Sequence, residues 1–251
     1  DSLGIKPSFI QFFKSPNPVY NANWLTSNQN QILRYYRENG FLSTVVSPEI
    51  DSAGNLLTIS FRIQEGEPSY FTKEDSVSVD NPILATHVSE YLKENSLIRP
   101  MDRLKLSLIK QEKEQLSHHL RNEGYYYFSP DAVGIRLNDR KDSTLRNVSL
   151  FYKIPEFKNR TSIPNYDRLY RIGLPEFIIL DPFGNPALYP PIKSLSKLIN
   201  LKEDDLYSVD LFNQSLKNIY LTDQFKTVSI RFDSTRTRLF PKIELFQNEK
   251  Y

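Results

Sequence analysis

The chain has 251 residues, 39% of them hydrophobic, with 32 basic and 30 acidic side chains and no cysteine. The lack of cysteine excludes disulfides, thiol nucleophiles and Cys-ligated zinc, and a net charge of +2 supplies no field that would by itself attract nucleic acid. No run of about 18 apolar residues is present, which excludes a helix that spans a bilayer, and the polar opening DSLGIKP has no leader pattern, as expected of a processed protein or an excised fragment.

In chain order, Ser8 to Lys14 reads as a short amphipathic piece. A longer helix follows over about Asn23 to Asn39, on which Trp24, Leu25, Ile32 and Tyr36 build one apolar stripe. Gly40 suits the left-handed position that ends such a helix. A strand is expected over Phe41 to Ile50, a turn over Asp51 to Asn55, and a second strand in which Leu57, Ile59, Phe61 and Ile63 alternate with polar residues.

The next stretch opens on a polar strand over Ser69 to Asp80. Pro82 starts a helix to about residue 95, and Asp102 caps a second helix over about Arg103 to Glu123, closed by Gly124. A hairpin follows, Tyr125 to Leu137 and then Val148 to Ile154, around a charged turn over Asn138 to Ser143. Pro155 to Pro164 reads as a linker. Tyr166 to Leu180 forms the next opening strand, broken at Gly173 and Pro175, before an inserted turn over Asp181 to Pro186. Helices over about Pro191 to Leu201 and Val209 to Thr222, with Ser208 as cap, precede a last hairpin that pairs Val228, Ile230 and Phe232 with Leu239, Ile243 and Leu245.

The segment Leu116 to Asp131 is the clearest copy of a repeat. Arg37, Gly40 and Phe41 correspond to Arg121, Gly124 and Tyr125 at one offset, 84 residues (121 less 37), and Leu216 to Phe232 is a weaker third copy. The repeat argues for three small modules, 1–66, 67–156 and 157–251.

Few residues support catalysis. No G-x-S-x-G, P-loop, G-x-G-x-x-G or H-E-x-x-H is present, and 8 glycines leave little material for a phosphate-cradling loop. His118 and His119 are adjacent on a helix and diverge by about 100°, so with His87 they make no zinc site. Glu203, Asp204 and Asp205 read as acids before a helix rather than a catalytic pair. The chain is therefore expected to be no enzyme and to use no cofactor, metal or small-molecule ligand.

The order strand, helix, helix, strand, strand, with a helix ending in Asn39-Gly40-Phe41 or Glu123-Gly124-Tyr125 and a last strand running into Ile63-Gln64-Glu65-Gly66-Glu67-Pro68, resembles the POTRA (polypeptide transport-associated) domain. The resemblance implies an α+β fold of three tandem modules, each a three-stranded mixed sheet with two helices on one face, the first lacking its opening strand. Gln224, where glycine is expected, and the broken opening strand of the third module depart from the pattern. The family is that of the outer-membrane assembly factors of the BamA and TamA superfamily, with a TamL-like branch as one option. It further implies a periplasmic segment attached to the outer membrane through a C-terminal barrel of the same protein. Its partners would be outer-membrane protein clients and a periplasmic lipoprotein or inner-membrane-anchored protein. The alternatives are a structural spacer and the POTRA arm of a secretion pore or a cell-division protein.

The resemblance also places client-binding edge strands just after the second helix of each module, where a client strand adds by backbone pairing. The candidates are Phe41, Ser43 and Val46; Tyr125, Tyr126, Tyr127 and Phe128; and Phe225, Thr227 and Ser229. Along a strand, residues 125 and 127 face oppositely to 126 and 128, so the four aromatics cannot share one core. They either pack within the sheet and against the adjoining module or present a gripping edge. Arg231, Arg236, Arg238 and Lys242 form a candidate basic patch toward lipid or a barrel rim, against the simpler reading of a solvated hairpin.

Overall fold

The computed structural model describes residues 21–54, 56–72, 76–139, 147–155 and 166–249. The amphipathic piece Ser8 to Lys14 and the linker over 156–164 fall outside them. The chain divides into two compact units, Asp1–Pro68 and Ser69–Tyr251.

In the first unit, helix α1 (Ala22–Glu38) leads into strands β1 (Val45–Ala53) and β2 (Leu56–Gln64), which pair antiparallel. Asn21 caps the helix by accepting the Asn23 N–H at 2.9 Å. At its other end the Phe41 N–H bonds the Tyr36 carbonyl and the Gly40 N–H that of Arg37, a Schellman closure with Gly40 at φ 92°. The strand expected from Phe41 starts four residues later, at Val45, because the Thr44 hydroxyl ties Phe41 and Glu65 into a turn (2.9 and 2.8 Å to their carbonyls). Pairing also runs further than expected, to Ala53 opposite Leu56, and shrinks the turn to two residues. No residue of α1 is buried, and Leu57 and Ile63 of the expected half-buried face are exposed, since one helix beside a two-stranded ribbon encloses little beyond Val46.

The second unit contains two sheets of the same plan. The first comprises β3 (Tyr70–Phe71), β4 (Ser76–Val79), β5 (Gly134–Asp139) and β6 (Asn147–Ile154), with helices α2 (Pro82–Glu94) and α3 (Leu106–Asn122). Strand β6 is central: β3 and β4 are successive pieces of one opening strand parallel to it, and β5 lies antiparallel on its other side. Val148, Leu150, Tyr152 and Ile154, alternate residues of β6, share one core with Leu84, Val88 and Tyr91 of α2 and Leu116 and Leu120 of α3. Both helices therefore pack on one face of a mixed sheet. Asn81 caps α2 with Pro82 at its first turn.

Two expectations fail in this sheet. Asp102 does not cap α3, which starts at Leu106. Its carboxylate instead accepts the Arg99 N–H at 2.8 Å while its carbonyl pairs with Phe71. Nor is Tyr125 to Ser129 a strand: after Gly124 (φ 104°) the chain makes a turn and a short 3-10 helix (Pro130–Ala132), so the hairpin begins at Gly134.

The second sheet comprises β7 (Arg171–Ile172), β8 (Glu176–Leu180), β9 (Phe225–Ser234) and β10 (Arg238–Gln247), with helices α4 (Ile192–Leu195) and α5 (Val209–Tyr220). Strand β10 is central between β7 and β8 on one side, both parallel, and β9 on the other. Register pairs Val228 with Leu245 and Ile230 with Ile243, as the alternation requires. The break at Gly173 to Pro175 falls beside Pro241 of β10, which has no N–H for the ladder, and a Cβ at Gly173 would stand 2.5 Å from the Phe240 ring. Helix α4 is a single turn rather than the eleven residues expected. Ser208 caps α5 as expected, and Asp223, at φ 55°, takes the left-handed role that Gly124 has in the preceding sheet, which leaves Gln224 free of it.

Candidate functional site

Each candidate edge residue has a definite place. Phe41 and Ser43 precede β1, and Val46 is its buried residue, 5% exposed. The aromatic run splits in two. Tyr125 and Phe128 are buried, at 1% and 2%, in the core beneath α2 and α3, while Tyr126 and Tyr127 reach the other sheet's core. The turn after Gly124 causes this split: it sends 125 and 128 one way and 126 and 127 the other, a spacing that strand alternation does not produce. The run is thus no free edge. Burial pushes the Tyr125 phenol up to about 12, with Asp167 and Glu123 adding to the effect.

Tyr126 is the hub of the junction between the two sheets. Its ring meets Tyr127, Tyr207, Phe232 and Tyr170 edge-on, with centroids at 4.7, 4.8, 5.3 and 6.3 Å. Burial raises the Tyr126 phenol above its ordinary range. The Tyr127 hydroxyl bonds Ser234 at 2.9 Å, and the Gly124 carbonyl accepts the Tyr170 N–H at 2.9 Å. A Cβ at Gly124 would come within 3.1 Å of Leu206 and 3.2 Å of Leu169, so this glycine serves both the helix end and the close approach of the two sheets.

A polar lock surrounds the aromatic hub. The Asn122 carbonyl oxygen accepts from the Ser208 hydroxyl (2.8 Å) and the Asp210 N–H (3.0 Å), while its amide donates to the Asp210 carboxylate (2.7 Å). His118 adds a contact to Asp210 at 3.0 Å, and Arg121 donates to the Tyr207 hydroxyl at 3.2 Å. The C-terminal turn of α3 thus holds the N-terminus of α5. Sequence reading missed this lock: Asn122, Ser208 and Asp210 are ordinary cap and surface residues, and only their partners distinguish them.

Strand β9 is the candidate edge that stands as one. It pairs on one side with β10, its Phe225 and Val228 face the core, and Lys226, Thr227, Arg231, Asp233 and Ser234 are exposed. Strand β5, likewise paired only with β6 among the described residues, is a second edge that begins nine residues beyond Tyr125.

The basic residues are largely compensated. On the sheet face opposite the helices Lys242 contacts Asp233 at 2.9 Å and Glu176 at 3.9 Å, Arg231 contacts Glu244 at 3.6 Å, and Arg238 pairs with Asp204. The Asp233 bond raises the Lys242 ammonium above its usual range. What read as a patch of one sign is a lattice of alternating charges, in which cross-strand neighbours bring in acids distant in sequence.

No group of three or more His, Asp or Glu residues capable of holding a metal is present among the described residues. His87 and His119 instead lie against the rings of Tyr125 and Tyr91. Asp204 sits in a left-handed turn where its carbonyl accepts from Arg171 and its carboxylate from Arg238.

No protein-family model matches the chain, and no curated protein matches it. Solved structures do. It is similar to BamA from Haemophilus ducreyi lacking POTRA domains 1–3, at 11% identity and a TM-score of 0.52, over 71% of this chain and 30% of that one. It is also similar to POTRA domains 3–5 of Haemophilus influenzae BamA (13% identity, TM-score 0.48, 89% of this chain and 80% of that one) and to POTRA domains 1–3 of Omp85 from Anabaena (13%, 0.32, 90% and 82%). The first likeness shows the fold: the chain carries POTRA architecture, in the α+β form its repeat implies.

Proposed function

We propose that this chain is the periplasmic POTRA arm of an outer-membrane protein assembly or translocation factor of the BamA kind, which binds client polypeptides or partner proteins through strand addition and docking. It carries out no chemistry and needs no cofactor. The observation that carries the reading is a tandem pair of POTRA-plan sheets fastened into one unit, with the ten-residue strand β9 open along one side. An open strand offers unpaired backbone N–H and C=O groups, so an extended client can pair with it whatever its sequence. Ion-paired Lys242, Arg231 and Arg238 make an electrostatic grip on lipid the weaker part of the notion.

A second reading has its own support. The aromatic run is consumed by the junction, and the Asn122 lock stiffens it, which suits a spacer that positions a partner without gripping clients. Depletion of the full-length protein in its own cells tests the first reading. Folded outer-membrane barrel proteins should fall several-fold, and unchanged levels would contradict it.

A further inference from the structure

The two sheets of the second unit differ at one place. In both, the outer edge of the first piece of the opening strand is closed by the segment before the second helix. Phe71 N–H bonds the Asp102 carbonyl at 2.9 Å, and Ile172 N–H bonds the Asp205 carbonyl at 2.9 Å. The second pieces diverge. Beyond β8 the inserted turn folds back along the strand: Ala187 N–H bonds the Ile179 carbonyl, Asp181 N–H bonds the Asn185 carbonyl (both 2.8 Å), and Leu180 bridges Pro186 antiparallel. Ala187 packs on the core beside it, and Lys226 and Gln247 hold the inserted segment by the carbonyls of Pro182 and Tyr189. This edge is plugged by the chain itself.

Strand β4 has no plug. It runs through Asp80 directly into the Asn81 cap of α2. Thr72 N–H bonds the Val148 carbonyl as Gly173 N–H bonds that of Leu239, so the sheets superpose in register. Val79, opposite Ile154, is then equivalent to Ile179, opposite Leu245, whose carbonyl receives the plug. Beside this strand lies an open cleft of about 690 Å³, bounded by Thr72 and Val77 on the strand side, by Leu92 and Lys93 of α2, and by Arg99. The Thr72 hydroxyl is buried there with no hydrogen-bond partner. Glu94 faces two cations, Lys93 and Arg99, neither of them in an ion pair.

We infer that the cleft between β4 and α2 is a docking site for an extended acidic peptide from another polypeptide. The peptide adds antiparallel to β4 as residues 185–187 add to β8. It sets a small apolar side chain against Val77 and Leu92, as Ala187 lies in the plugged sheet, and an acidic one toward Lys93 and Arg99. This site is separate from β9 and does not rest on the assembly-factor reading.

The test uses the full chain and the fluorescein-labelled octapeptide Ser-Glu-Val-Thr-Ala-Asp-Val-Ser, followed by anisotropy. Saturable binding is expected, and N-methylation of alternate peptide residues should weaken it at least about tenfold, because a methylated amide cannot pair with the strand. The double substitution Lys93→Glu with Arg99→Glu, both exposed and so harmless to folding, should cost a similar factor. No binding, equal binding of the methylated peptide, or equal binding by the double variant would each overturn the proposal. So would dimerisation of the chain that the double variant abolishes, since a second copy would then be the occupant. None of these outcomes touches the depletion result above.

Discussion

Replacing Tyr126 by alanine separates a rigid junction from two sheets that merely adjoin. The substitution removes a ring with four aromatic partners at 4.7 to 6.3 Å, three of them (Tyr170, Tyr207 and Phe232) belonging to the other sheet. Pairs of this geometry contribute about 0.5–1.5 kcal/mol each beyond the area they bury. Three inter-sheet pairs, discounted for shared contacts, give about 2–3 kcal/mol, and truncating a buried aromatic to alanine typically costs about 3–5 kcal/mol in all. The loss falls on the junction, because Tyr126 packs on the core around β10 from a position attached to the core around β6. Urea unfolding of the chain, followed by tyrosine fluorescence and far-UV circular dichroism, should show the second unit's transition moved to lower urea and split in two. A single transition displaced by less than about 1 kcal/mol would refute the view that the aromatic hub couples the sheets.

Other expectations follow from single contacts. Gly173→Ala places a Cβ 2.5 Å from the Phe240 ring and should lower stability by about 1–3 kcal/mol, read as a fall in melting temperature. Ser215→Ala removes the hydroxyl that accepts the Asn200 N–H at 2.8 Å and should cost about 1–3 kcal/mol in the same assay. Tyr125, with its phenol raised by burial to about 12, contributes stability that is present below pH 10 and lost as pH rises through about 12, because the unfolded phenol ionises first. Tyr125→Phe should flatten that alkaline loss in a pH series of melts, and an unchanged pH slope would count against the cause.

The plan of the modules was legible from local signals. Asn81-Pro82 announces α2, Ser208 announces α5, Gly40 and Gly124 end their helices, and alternation sets the inward faces of β6 and β10. Where reading failed, a tertiary partner had overridden a local preference. Asp102 looks like a cap, but its carbonyl pairs with Phe71 and its carboxylate holds Arg99. The Tyr125 to Phe128 run has strand composition, yet the junction needs two rings on each side and bends the chain to supply them. A third class was invisible: Glu112 accepts the Leu97 N–H and Ser215 the Asn200 N–H, each fifteen residues away, one device built from two unlike side chains. The candidate edges shifted for a related reason, since β1 and β5 start only after turns fixed by Thr44 and the Pro130 segment.

Strand addition at β9 is the central claim, and site-specific photocrosslinking in cells that make the full-length protein tests it most directly. Photoreactive residues at Thr227 and Ser229, on the open strand, should capture nascent outer-membrane proteins, while the same residue at Phe128, 2% exposed in the core, should capture none. Silence at both Thr227 and Ser229 would contradict the account and leave the spacer reading in its place.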